Sequence, residues 1–127
     1  MKTSVLISRI LLGLIFVIFG LNGFLHFIPA PMPTGVAGQY VGALFVSHYL
    51  AVVFALQLIA GVLLLANRFV PAALTILAPI LVNIVLFHAC MAPTGFLPAV
   101  IALAFWSVLV FRERAVFSPL LAMRGSA

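Results

Sequence analysis

Residues 69–88 read FVPAALTILAPILVNIVLFH, and residues 20–29 read GLNGFLHFIP. Each stretch is an apolar run that contains an Asn followed four or five residues later by a His. A helix that spans a lipid bilayer needs about 20 mostly apolar residues, and a buried amide or imidazole needs a hydrogen-bond partner. The two stretches therefore predict a membrane-spanning fold and a set of polar side chains within it.

The composition of the chain excludes an ordinary soluble domain. Of its 127 residues, 67% are hydrophobic and 6% are charged, whereas a soluble domain has roughly 45–50% apolar and about 25% charged residues. A soluble fold of this size cannot bury so much apolar surface, so we expect an integral membrane protein. Within lipid, every backbone N–H and C=O must be paired inside its own segment, which predicts an all-α fold.

Four hydrophobic segments predict a four-helix bundle that forms a single transmembrane domain over residues 1–127. Their predicted bounds are 5–27, 49–66, 69–89 and 96–111. No cleavable signal peptide is recognisable at the N-terminus. In the loop after the first segment, apolar and aromatic positions recur at helical spacing, which predicts a short surface helix over about 36–47. The members of this stripe are Ala37, Tyr40, Val41, Leu44 and His48.

The charges predict the orientation of the helices. The net charge is +5, from six basic residues and the single acid Glu113. All six basic residues fall on one side of the predicted membrane: Lys2, Arg9, Arg68, Arg112, Arg114 and Arg124. The positive-inside rule assigns that side and both termini to the cytoplasm. It explains the charge without a nucleic-acid partner, and it leads us to expect that Arg9 snorkels to the inner interface.

Six polar side chains form the candidate site. The predicted topology brings His26, His48 and His88 to one level near the outer surface. At ~1.5 Å of rise per residue, Asn22 and Asn83 lie about 6 and 7.5 Å below their histidines, and Gln57 lies about 13 Å below His48. The six side chains can therefore line one polar track that opens outward.

The residue types leave several roles open for this track. The simplest interpretation is structural: the amides hydrogen-bond between helices, and the histidines anchor helix ends at the interface. The alternative is a site for a lipid-soluble molecule with a polar head, such as a quinone. Metal or haem ligation by His26, His48 and His88 ranks below both, because no carboxylate on that side can orient the imidazoles. We identify no residue set for catalysis by this chain alone, so enzymatic activity stays open.

Two motifs resemble the DoxX-like family of small bacterial membrane proteins. They are GLNGFLHFIPAP at 20–31 and, within 67–88, NRFVPAAL followed by LAPILVNI and a terminal FH. The similarity covers most of the chain and implies four transmembrane helices in a bacterial inner membrane. Some relatives are described as the membrane subunit of a thiosulfate:quinone oxidoreductase, others accompany redox proteins, and a distant eukaryotic relative is a cargo receptor. The family pattern implies Glu where this chain has Gln57 and Gly where it has His48. Since Gln cannot carry a proton, the first difference argues against an intramembrane proton relay.

Together these observations predict a small membrane subunit or accessory of a membrane redox assembly. It would bind a quinone or lipid beneath the outer face, with membrane lipids and other membrane subunits as partners. The alternative is a non-catalytic structural or assembly subunit in which every polar residue serves packing. A transporter or channel is a weaker prediction, because the four segments hold no charge within the membrane.

Overall fold

The computed structural model describes residues 2–125, and every regular element in that range is helical. The main helices are α1 (Lys2–Leu25), α2 (Gly35–Val46), α3 (Tyr49–Ala66), α4 (Val70–Cys90), α5 (Phe96–Arg112) and α6 (Arg114–Phe117). Short 3₁₀ turns lie at Pro93–Gly95 and Ser118–Leu121. The predicted all-α fold is therefore confirmed. Residues 1, 126 and 127 of the predicted domain lie outside the described range.

Four helices are long and apolar enough to cross a membrane, as expected of a multi-pass membrane protein. They are Lys2–Leu25, Tyr49–Ala66, Val70–Cys90 and Pro93–Arg112. Apolar side chains also cover their outer surfaces: Ile59, for example, is 52% exposed and Val82 is 57% exposed. A helix that is apolar on all sides is typical of a membrane span, because its outer face meets lipid instead of water.

Most helix bounds differ from the sequence prediction by one to three residues; α1, for example, begins at Lys2, three residues before its predicted start. The first helix ends at Leu25, two residues before the predicted end, because His26 adopts a left-handed backbone conformation with φ 53°. The Asn22 side chain then accepts a hydrogen bond from the Ile28 backbone N–H at 2.7 Å. The short helix α2 begins at Gly35 and ends at Val46, one residue earlier at each end than predicted.

Helices α1 and α3 approach each other backbone to backbone. A methyl group added to Gly61 of α3 would lie 2.8 Å from the Val17 backbone nitrogen of α1. One added to Gly20 would lie 3.0 Å from the Leu58 nitrogen. Earlier residues of α1 therefore meet later residues of α3, so the two helices are antiparallel. Small residues at such positions let membrane helices pack closely.

The core lies where the four long helices meet. Helix α1 contacts α3 and α5, and α4 contacts the same two helices. The largest fully buried side chains are leucines from all four helices: Leu12, Leu64, Leu74, Leu77, Leu81 and Leu109.

The side chains of two residues, Trp106 and Arg9, donate hydrogen bonds to the backbone of neighbouring helices. The Trp106 indole N–H of α5 donates to the Leu74 carbonyl of α4 at 2.9 Å. Arg9 of α1 donates from Nη1 to the carbonyls of Leu64 (2.6 Å) and Leu65 (3.3 Å) in the last turn of α3. The Leu64 carbonyl also accepts a hydrogen bond from the Asn67 backbone N–H at 3.2 Å, so Arg9 adds a charged donor to the C-terminal cap of α3 in addition to any interfacial role.

Candidate functional site: a cavity between α2, α3 and α4

A cavity of about 450 Å³ lies between α2, α3 and α4, at the end of the molecule where α3 begins and α4 ends. Its volume is within the range of small-molecule sites, roughly 300–1,000 Å³. Most of its wall is apolar, with side chains such as Leu50, Val53, Ile80 and Ile84. Five lining residues carry polar groups: Tyr40, Tyr49, Gln57, Asn83 and His88.

The most informative of these residues is Gln57. Its side chain is only 6% exposed, yet it makes no hydrogen bond within the described part of the chain. No side-chain nitrogen or oxygen among residues 2–125 is both fully enclosed and without a partner. The amide atoms of Gln57 must therefore be open to the cavity that this residue lines. A ligand with a hydrogen-bonding group could pair with this amide, and such a bond is worth about 0.5–1.5 kcal/mol net.

Asn83 presents a second amide to the cavity from α4. Its Nδ2 donates to the Pro79 carbonyl, one turn earlier, at 2.8 Å. That bond orients the amide and leaves Oδ1 without a partner in the described chain. Asn83 therefore offers a hydrogen-bond acceptor to whatever occupies the cavity.

His88 is held rigidly at the end of α4. Its Nδ1 lies 3.0 Å from the Ala92 carbonyl oxygen. Since a carbonyl can only accept, Nδ1 carries the proton in this contact, which leaves Nε2 as the acceptor in the uncharged form of the ring. A methyl group added to Gly95 would lie 2.6 Å from Cε1 of the ring, so only glycine leaves room for it. The turn after α4 thus fixes both the position and the tautomer of His88.

Helix α2 covers the cavity with three of the five residues of the predicted stripe, whereas Ala37 and His48 do not line it. Tyr40, Val41 and Leu44 all line the cavity. The Tyr40 ring lies 5.8 Å from the ring of Phe87, measured between centroids. Tyr40 and Tyr49 were absent from the predicted site, although the helical stripe already pointed to Tyr40.

The other three predicted site residues do not line this cavity. Asn22 binds the Ile28 N–H, while His26 and His48 are exposed at helix ends with φ values of 53° and 63°. A positive φ favours glycine, so the backbone at His26 and His48 is less favourable for histidine than it would be for glycine. Within residues 2–125, no three His, Cys, Asp or Glu side chains come together in a way that could hold a metal ion. Of the six predicted residues, Gln57, Asn83 and His88 therefore share the cavity. Asn22, His26 and His48 lie outside it, near helix ends.

No protein-family model, curated protein or solved structure matches this chain. The resemblance to the DoxX-like family therefore depends on the motifs at 20–31 and 67–88, and the function must be argued from the cavity.

Proposed function

We propose that this protein is a DoxX-like inner-membrane subunit that binds the headgroup of a quinone in the cavity between α2, α3 and α4. The observation that carries the proposal is Gln57, a buried amide without a partner in the described chain that opens into an otherwise apolar cavity. Small-molecule sites typically combine such an apolar wall with a few convergent polar groups.

The polar groups match the two states of a quinone. The Gln57 amide donates to a ring carbonyl of the oxidised form, as the Tyr40 and Tyr49 hydroxyls can. Asn83 Oδ1 and His88 Nε2 accept from the hydroxyls of the reduced form. The apolar wall suits the ring faces and the start of the isoprenoid tail. The role is binding and presentation of the quinone, and a partner subunit of a redox assembly would exchange electrons with it.

The charge distribution supports an outer-leaflet position for the cavity. Helices α1 and α3 are antiparallel, and the Trp106–Leu74 bond joins the second half of α5 to the first half of α4. In a bundle of this kind the basic residues at the start of α1, between α3 and α4 and after α5 share one end. The positive-inside rule then assigns that end and both termini to the cytoplasm. The cavity lies at the other end, near the start of α3.

The decisive experiment replaces Gln57 with leucine. We expect Gln57→Leu to weaken binding of a short-chain benzoquinone about five- to tenfold, since one hydrogen bond is lost. Binding is measured by equilibrium titration of the purified protein in a mild detergent. The matched control is Gln39→Leu, because Gln39 is an exposed glutamine of α2 that does not line the cavity.

The same variant separates a binding role from a structural one. If Gln57 serves a ligand, the ligand-free Gln57→Leu protein should unfold at the same or a higher temperature, because an amide without a partner has been removed. If the amide holds helices together, the variant should be less stable. Unchanged quinone affinity in Gln57→Leu, or equal losses in Gln57→Leu and Gln39→Leu, would overturn the proposal.

A further inference from the structure

A second cavity lies at the end of the molecule with the basic residues, between α4, α5 and the segment that follows α5. It measures about 610 Å³, and we call it the α4–α6 groove. Its walls are mostly apolar and include Leu74, Ala78, Val110 and Phe117. Among the residues that the structure describes, Arg114 is the only charged one that lines it.

Arg114 is held in place at this groove. Its Nη1 donates to the Phe111 carbonyl at 2.9 Å, and its guanidinium carbon lies 4.5 Å from the centre of the Phe111 ring. Glu113, the only acidic residue of the chain, forms no ion pair with it within residues 2–125. A guanidinium has five N–H donors, so most of them stay available. Residues 2–125 therefore supply no anion to pair with Arg114.

The segment after Arg114 provides apolar surface next to this charge. Leu120 is 77% exposed, Leu121 84% and Met123 100%. Both leucines line the groove. Strongly exposed apolar side chains beside arginines, at the end of a helix able to span a membrane, are typical of a segment in the headgroup region of a bilayer. The groove therefore combines a surface for acyl chains with a fixed cation at its mouth.

We propose that the α4–α6 groove binds an anionic glycerophospholipid, whose phosphate pairs with Arg114 and whose acyl chain occupies the apolar groove. Charge complementarity favours this occupant, because the chain has six basic residues against one acid and anionic headgroups attract basic residues at a membrane surface. Arg pairs with phosphate through two parallel N–H···O bonds. The Ser118 hydroxyl, which also lines the groove, can add a further hydrogen bond. This site is independent of the proposed quinone cavity.

The test compares phosphatidylglycerol with phosphatidylcholine. The purified protein is incubated with mixed micelles of each lipid, and the bound lipids are counted by native mass spectrometry. Arg114→Gln should lower the retention of phosphatidylglycerol about five- to tenfold relative to phosphatidylcholine. Arg68→Gln is the matched control, because Arg68 is an exposed arginine between α3 and α4 that does not line the groove, and it should change the ratio by less than about twofold.

A second variant tests the acyl-chain surface without changing the charge. Ala78→Phe fills the groove and should lower the retention of both lipids, while circular dichroism confirms an unchanged helix content. Equal effects of Arg114→Gln and Arg68→Gln would indicate general charge attraction and overturn the proposal. Equal retention of the two lipids by the unmodified protein would also overturn it. The same holds if Arg114→Gln releases a co-purified protein in place of phospholipid.

Discussion

The closest approach between α1 and α3 gives a quantitative prediction for Gly61→Ala. The added methyl carbon would lie 2.8 Å from the Val17 backbone nitrogen and 2.9 Å from the Gly13 carbonyl oxygen. Ordinary contacts of a Cβ atom begin near 3.4 Å, so the space is about 0.6 Å too small. Because two of the obstructing atoms belong to the backbone, a rotamer change cannot remove the clash, and α1 and α3 must separate.

The net effect follows from two opposing terms. Overpacking of a tight contact costs about 1–3 kcal/mol, whereas alanine is favoured over glycine within a helix by about 1 kcal/mol. The difference is a loss of up to about 2 kcal/mol in the free energy of unfolding, and we expect Gly61→Ala near the upper end because backbone atoms obstruct the methyl group. Gly42→Ala is the matched control, because nothing lies within 4 Å of the methyl group that it adds to α2. It should stabilise the protein by about 0.5–1 kcal/mol.

The assay is unfolding by titration with SDS in mixed micelles, followed by far-ultraviolet circular dichroism. A Gly61→Ala protein that is as stable as the unmodified protein would refute the close backbone contact. Complete rescue by Val17→Ala would also contradict it, because that change removes the Val17 Cγ2 contact at 2.8 Å but leaves the backbone nitrogen in place.

Two further predictions concern the helix ends, and the same SDS titration measures both. Arg9→Met should lower the free energy of unfolding by about 1.5–3 kcal/mol, because a charged donor to the Leu64 carbonyl is lost. Arg68 makes no such bond, so Arg68→Met should have little effect. Equal losses of stability in the two variants would contradict the role of Arg9. His48→Gly should stabilise the protein by about 0.5–1 kcal/mol, because glycine accepts the φ of 63° without strain. His48→Ala keeps the backbone strain and should not stabilise the protein. If His48→Ala stabilised it as much as His48→Gly, the positive φ would not be the cause.

The left-handed residues show how local geometry divides the predicted site. The sequence predicts that His26 and His48 line a ligand site, because imidazoles near a membrane surface can bind a ligand or a metal ion. In the structure both residues occupy left-handed positions at helix ends and are exposed. Neither position is recognisable from a histidine in the sequence, since positive φ is ordinarily signalled by glycine or asparagine.

The amino-acid sequence by itself determined the helical class, the four apolar segments and the stripe on α2. These features are local: lipid admits only segments whose backbone bonds are satisfied internally, and the spacing of side chains along a helix is fixed. Only the tertiary structure decided which polar residues meet. In helices that are apolar on every side, no amphipathic pattern reveals their rotation. The rotation depends instead on contacts between distant parts of the chain, such as Gly61 against Val17. It is this packing that brings Gln57, Asn83 and His88 to one cavity.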